Sequence, residues 1–262
     1  MKRFMVAALG VVAVTRASAQ DRPLCPDRPG LGSPACTVMP GRLLVETALV
    51  DWTRDDQTGM RSDAILVADT LVRIGVAQNA EVQIGWTPFG YQRERSPGAI
   101  DRVGRVGDAT LGAKLNLAHP DGSDFSIALQ PQVTLPVGRT PIGAGDWSAA
   151  LAMPVSYDLS DTISLQATPA AEAAVDEDGH GRHLAIGSVV GLGIALSSKI
   201  SASIEAQLTR DDDPVGATTQ ALAALAVAWQ PDDRLQLDIG AAAGLNRDTP
   251  DMRFYAGIAR IF

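Results

Sequence analysis

The chain has 262 residues, 46% hydrophobic and 20% charged, with 30 acidic against 22 basic side chains and a net charge of −8. That balance argues against nucleic acid as a partner. Beyond the first 19 residues no apolar run approaches the ~20 residues that a membrane-crossing helix needs, so any insertion into lipid has to be through strands.

The first element is an export signal. Lys2 and Arg3 give a positive start, Phe4 to Val14 an apolar stretch, and Ala17-Ser18-Ala19 a small-residue cleavage site before Gln20. Removing residues 1–19 takes Lys2, Arg3 and Arg16 with them and moves the charge to about −11. No cysteine stands immediately after the site, which argues against a lipid anchor. Residues 20–40 form a Pro-rich periplasmic segment with the only two cysteines, Cys25 and Cys36. In an oxidising compartment these are expected to form a disulfide. Two readings of the segment stay open, a plug in or under the mouth of a barrel and a simple tether.

From residue 41 onward, apolar and polar residues alternate at period two. Ile200, Ala202, Ile204, Ala206 and Leu208 alternate with Ser201, Ser203, Glu205, Gln207 and Thr209, and Leu235, Leu237 and Ile239 alternate with Gln236, Asp238 and Gly240. Twelve such segments are predicted, at 42–53, 62–75, 80–90, 107–118, 124–136, 146–158, 161–173, 183–196, 199–210, 217–230, 234–246 and 252–262. Each is at least as long as the ~9–11 residues of a tilted membrane-crossing strand. Tight turns at 77–79, 119–123, 160–161, 197–198 and 231–233 alternate with longer connections at 54–61, 91–106, 137–145, 174–182, 211–216 and 247–251. That asymmetry between rims is expected of an up-and-down transmembrane β-barrel, with both chain ends on the short-turn side. Pro131, on an apolar face, is expected to mark a bulge. The last strand, with Phe254, Ala256, Ile258 and Phe262 on one side, is the expected signal for the barrel-assembly machinery, although Arg260 interrupts that side.

Inside such a barrel the polar face carries the chemistry. Glu46, Arg73, Glu81, Lys114, Gln130, Gln132, Gln166, Glu205 and Asp238 all project there by alternation, and their charges have to be paired or wet. Glu46 and Arg73 fall on neighbouring strands and are expected to pair. Catalysis is not expected, because His119, His180 and His183 stand near no evident serine nucleophile and no G-x-S-x-G elbow exists. The acidic stretches at 176–183 and 211–213 have ligand types for a divalent cation, but solvated loops explain them as well. No metal and no cofactor is assigned.

Several stretches together resemble the outer-membrane β-barrels labelled "MetA-pathway of phenol degradation". They are Asp27-Arg-Pro-Gly30, Thr37-Val-Met-Pro-Gly-Arg42, Leu71-Val-Arg-Ile-Gly75 with Glu81-Val-Gln-Ile-Gly85, Val106-Gly-Asp-Ala-Thr-Leu-Gly-Ala-Lys114, Val133-Thr-Leu-Pro-Val-Gly138, and Gly244-Leu-Asn246 with Asp248-Thr-Pro-Asp251. The cysteine pair and the closing Arg260-Ile-Phe262 depart from that pattern. The resemblance implies an outer-membrane location, lipid and lipopolysaccharide as surroundings, and passive passage of small hydrophobic or aromatic compounds. A structural or surface-interaction barrel with a filled lumen is the alternative.

Overall fold

The computed structural model describes residues 22–179 and 181–262. The predicted signal peptide and His180 lie outside the described residues. Sixteen strand segments make one antiparallel sheet. They are β1 (Leu43–Gln57), β2 (Met60–Val67), β3 (Asp69–Ala77), β4 (Ala80–Trp86), β5 (Phe89–Ser96), β6 (Ala99–Arg105), β7 (Ala109–Ala118) and β8 (Phe125–Leu135). The second half follows with β9 (Ser148–Ala152), β10 (Val155–Ser160), β11 (Ile163–Val175), β12 (Arg182–Ala195), β13 (Ile200–Asp211), β14 (Thr218–Asp232), β15 (Leu235–Gly244) and β16 (Met252–Ile261). The pairs β2/β3, β4/β5, β6/β7 and β9/β10 are each one wall strand broken partway, so the wall counts twelve. β1 closes it against β16, from Leu44 opposite Ile261 to Arg54 opposite Met252. Closure removes the sheet edge at the level of the lipid band, the condition for standing in lipid, where no water can satisfy a free backbone group.

The burial pattern is inside out relative to a soluble protein. Among the described residues, buried side chains include Glu46, Arg73, Glu81, Lys114, Asn116, Glu205 and Asp238, whereas Ile84, Leu111, Ile186, Ile204, Leu225 and Ile239 face outward and are exposed. Aromatic residues mark the edges of this band at two heights. Phe125, Tyr157, Trp229 and Phe262 stand near the short-turn rim, and Trp52, Trp86, Phe89 and Phe254 near the other. On β16, Phe254 and Phe262 are eight residues apart, which at ~3.4 Å rise and a tilt of ~40° is about 20 Å along the barrel axis. An apolar band bounded by two aromatic girdles is the surface a bilayer requires.

Two predicted long connections turn out to be strand. β1 and β2 meet in a two-residue turn at Thr58-Gly59, and β5 and β6 at Pro97-Gly98. The glycines at φ 82° and 83° supply the left-handed backbone that such turns demand. The stretches at 54–61 and 91–106 read as loops because the hydrophobic alternation stops there. Above the bilayer both faces of a strand are wet, and nothing selects an apolar side. Pro131 also differs from expectation. It leaves a gap in the β7–β8 ladder without shifting register, and the bulge lies at Leu117 instead, between Asn116 and Ala118.

Arginine at position 239, mid-strand on the outward face, is expected to lower stability in lipid vesicles by about 2–4 kcal/mol, as charges at a bilayer midplane do. Val215→Arg, in the loop between β13 and β14, should be close to neutral. Urea titration of both variants in vesicles checks the contrast.

Candidate functional site

Residues 22–40 do not tether the barrel from outside but thread into its lumen at the short-turn rim. Pro23, Pro26, Pro29, Pro34 and Pro40 lack donors and keep this stretch out of the sheet. Its remaining backbone groups are then obliged to find partners in the lumen. The wall provides them. The Glu46 carboxylate accepts from Arg28 N at 2.9 Å, Glu205 from Leu31 N at 2.9 Å and Gly32 N at 3.4 Å, and Glu81 from Val38 N at 2.7 Å. Going the other way, Lys114 donates to the Pro34 carbonyl at 3.0 Å, Asn116 to Ala35 at 2.8 Å, Thr168 to Ser33 at 3.1 Å and Gln236 to Arg28 at 2.9 Å. The Cys25–Cys36 disulfide ties the two limbs of this plug, eleven residues apart in sequence. Val38 joins Leu44 and Ala259 in a small apolar cluster that anchors its outgoing limb.

Arg73 is the hub. Its guanidinium is fully enclosed and donates to Glu81 at 2.6 and 3.0 Å, to Glu46 at 3.2 Å and to Asp27 at 2.8 Å. It also reaches the carbonyls of Cys25 at 2.9 Å and Cys36 at 3.2 Å, so one side chain clamps both ends of the disulfide loop. Asp27 is shared with Lys114 at 3.0 Å. A second ion pair fixes the plug three strands further round the wall, on β15, where Arg28 grips Asp238 at 2.7 and 3.3 Å. A fork gripping both carboxylate oxygens is the strongest geometry available to such a pair.

Alternation alone thus placed the charged wall residues on the lumen side. Glu46 and Arg73 pair as expected, and Glu81, Lys114, Glu205 and Asp238 all touch the plug. Gln130 stands one step back, donating to Gln83 at 3.1 Å, which in turn donates to Glu81 at 2.7 Å. Gln132, two residues further up the same strand, makes no hydrogen bond with the segment, and Gln166 lines open space beside it. Sequence reasoning missed the plug half, Asp27 and Arg28, and the supporting Gln83, Asn116 and Gln236. One signal was available, since Asp27 and Arg28 are the only charged residues between the two cysteines.

The plug touches wall strands most of the way round the lumen, from Glu46, Arg73, Glu81 and Lys114 to Thr168 on β11, Glu205 on β13 and Asp238 on β15. Between it and the wall of β10 to β14 lies a cavity of about 390 Å³ whose lining includes Ser156, Ser164, Gln166, Ser203 and Ala226. A second, of about 410 Å³, lies above the plug between Glu46, Leu71, Asp108 and Ile142. At the far rim the two described acidic stretches converge on His183. Its Nδ1 lies 2.9 Å from Asp176 and 3.4 Å from Asp213, and its Nε2 lies 2.6 Å from Asp211. Asp213 is held below the usual carboxylate range, first by the Val215 N–H that donates to it. His119 sits in the turn after β7, with Nδ1 3.1 Å from the Ser123 carbonyl. Both described histidines therefore engage carboxylates or backbone.

Replacing Arg73 by Met strands Glu46, Glu81 and Asp27 without their common partner and is expected to cost about 3–5 kcal/mol. The added Glu81→Gln change should recover part of that loss. Gly75→Ala is expected to loosen the plug while sparing the wall, because a Cβ there would overlap the Met39 carbonyl. Urea denaturation reads the first pair, and the rate at which a reductant reaches the disulfide reads the third.

No curated protein matches the chain. In structure it is similar to the NanC porin, with a TM-score of 0.52 and 7% identity over 83% of this chain and 98% of that one. It is also similar to the translocator domain of the autotransporter NalP from Neisseria meningitidis, with a TM-score of 0.50 and 13% identity over 84% and 88%. At such identities these likenesses speak for the fold, a barrel of the outer-membrane type. A family model matches residues 26–260, nearly the whole described chain including most of the plug. The chain belongs to the family described as "Putative MetA-pathway of phenol degradation".

Proposed function

We propose that this protein is an outer-membrane barrel for passive passage of small hydrophobic or aromatic compounds, with the plug at its periplasmic mouth setting what passes. One observation carries the reading: the plug leaves cavities of about 390 and 410 Å³ on either side of its charged core. Both fall within the range that accepts small molecules. The family description, phenol degradation, supports aromatic compounds as the class.

The upper cavity has a feature suited to apolar cargo. The wall strands break at one height, at the bulge between Ala48 and Val50, at Ala68, at Thr87-Pro88 and at Val106-Gly-Asp108. Side chains bridge the seam, with Thr87 donating to Asp69 at 2.7 Å and Asp108 accepting from Gly138 N at 2.9 Å and Ala144 N at 2.7 Å. The cavity lining includes Leu71 and Gly85 from the inner face and Thr70 and Trp86 from the outer face at this height. This supports a lateral way between lumen and lipid for molecules that dissolve in both. No catalytic role is part of the reading.

The ion-paired plug itself favours a second reading, a closed barrel whose function lies at its surface. Conductance of the refolded mature protein in a planar bilayer separates the two. On the first reading the wild type passes small currents that aromatic solutes reduce, and the Asp27→Asn/Arg28→Gln variant, with the plug's own charges neutralised, passes several-fold more. A silent wild type together with a silent variant, and no uptake of an aromatic dye into vesicles holding either, would leave the closed barrel as the answer.

A further inference from the structure

Above the seam, β1, β2, β5 and β6 continue as a four-stranded ribbon. Among the described residues β6 pairs only with β5, so its far edge is open. An open edge is not tolerated in hydrocarbon, which sets the ribbon at the height of headgroups and water. Directly beneath it on the outward face lie Trp52 and Phe254, stacked with ring centroids 5.8 Å apart, with Tyr91 alongside.

The registers sort the ribbon's charges by face. Arg54, Asp63, Arg93 and Arg102 stand in one row across the four strands, on the same side as the outward Trp52. In the next row up, on the same side, Asp56, Arg61, Arg95 and Ile100 follow. The inner face at the level between carries Asp55, Glu94 and Asp101, and Arg105 faces inward lower down. An acidic protein thus presents five arginines outward against two aspartates. Asp63 is already taken, by Arg54 at 3.1 Å and Arg61 at 3.2 Å. The Arg54 guanidinium lies over the Trp52 ring, 4.7 Å from its centroid. Arg93, Arg95 and Arg102 have no carboxylate partner among the described residues, and the Nε atoms of Arg93 and Arg95 are shielded from water with no hydrogen bond made.

We propose that this face is a binding site for the phosphate groups of a phosphorylated glycolipid in the outer leaflet, the lipid A portion of lipopolysaccharide. Arginine presents a rigid fork that matches phosphate oxygens in pairs, and here no lysine shares the patch. Neighbouring strands are ~4.8 Å apart, so Arg93 and Arg102 are placed to close on one phosphate, with Arg54 about 10 Å away for a second. The apolar belt below receives the acyl chains, and the aromatic girdle marks the boundary where phosphate begins. The site concerns what the barrel stands in, and is independent of what crosses it.

The test uses the refolded mature chain in detergent with a chelator present, so that no divalent ion bridges lipid to carboxylates. Binding of bisphosphorylated lipid A is compared with that of its dephosphorylated form. Wild type is expected to prefer the phosphorylated lipid, and Arg93→Ala/Arg102→Ala to bind it at least about tenfold more weakly, a loss of ~1.4 kcal/mol. Glu94→Gln, on the inner face of the same strand, should bind as wild type does. A heat-dependent shift on a gel verifies that each variant is folded, and Arg93→Lys/Arg102→Lys, which keeps the charge without the fork, should fall between. Equal binding by wild type and the alanine variant, or equal binding of the two lipids, would overturn the site.

Discussion

A guanidinium enclosed inside a membrane barrel is tolerable only if every face of it is met, and the lower lumen is organised around meeting that of Arg73. Glu46 and Glu81 come from flanking wall strands, while Asp27 and two carbonyls come from a segment that is not wall at all. Without the plug, Arg73 would keep two carboxylates but lose its other partners, and Lys114 would lose its only ion-pair partner among the described residues. Without Arg73, the disulfide loop would have no common point of attachment. Barrel and plug are thus one electrostatic unit, in which the segment supplies what the wall lacks. Glu205 shows the same logic with charge reversed, being met by the backbone N–H groups of Leu31 and Gly32. Such a network confers a defined position rather than raw stability, since buried ion pairs seldom gain much over apolar packing.

The molecule passes through three solvents along its axis, and each leaves a mark. In the lipid band the outward face is aliphatic and the wall ladder is continuous over most of the circumference. At the upper girdle four neighbouring strands break together, and side chains such as Asp108 take over the bonding that the ladder gives up. Beyond the girdle the strands resume with charge on both faces, basic outside and acidic inside. The seam lies at the transition, where the backbone can leave the ladder because its polar groups have side-chain or solvent partners again. Passage and lipid contact would then use different levels of one wall, the cavities at and below the seam and the arginine face above it.

The strand count, the closing pair and the inward residues were legible because lipid outside and water or polar segment inside impose opposite demands on alternate residues. Ile200 to Leu208 and Leu235 to Ala241 state this without ambiguity. The stretches at 54–61 and 91–106 were misjudged for the same reason, since the pattern is silent where both faces are wet. Pro131 was misplaced as a bulge because the sequence shows that a donor is missing but not how the neighbouring strand accommodates the gap.

The charged wall residues of the site, Glu46, Arg73, Glu81, Lys114, Glu205 and Asp238, were readable because each stands at a phase that lipid forbids outside, whereas the uncharged Gln83, Asn116 and Gln236 were passed over. What the sequence could not decide was the occupant of the lumen. Residues 22–40 have no periodicity to read, and plug and tether are equally compatible with a Pro-rich disulfide loop. Only the closed tertiary structure brings Asp27 and Arg28 opposite Arg73, Lys114 and Asp238, partners up to 210 residues away in sequence. A local pattern records which face a residue takes, whereas the partner it finds there depends on how the whole sheet curves round to meet itself.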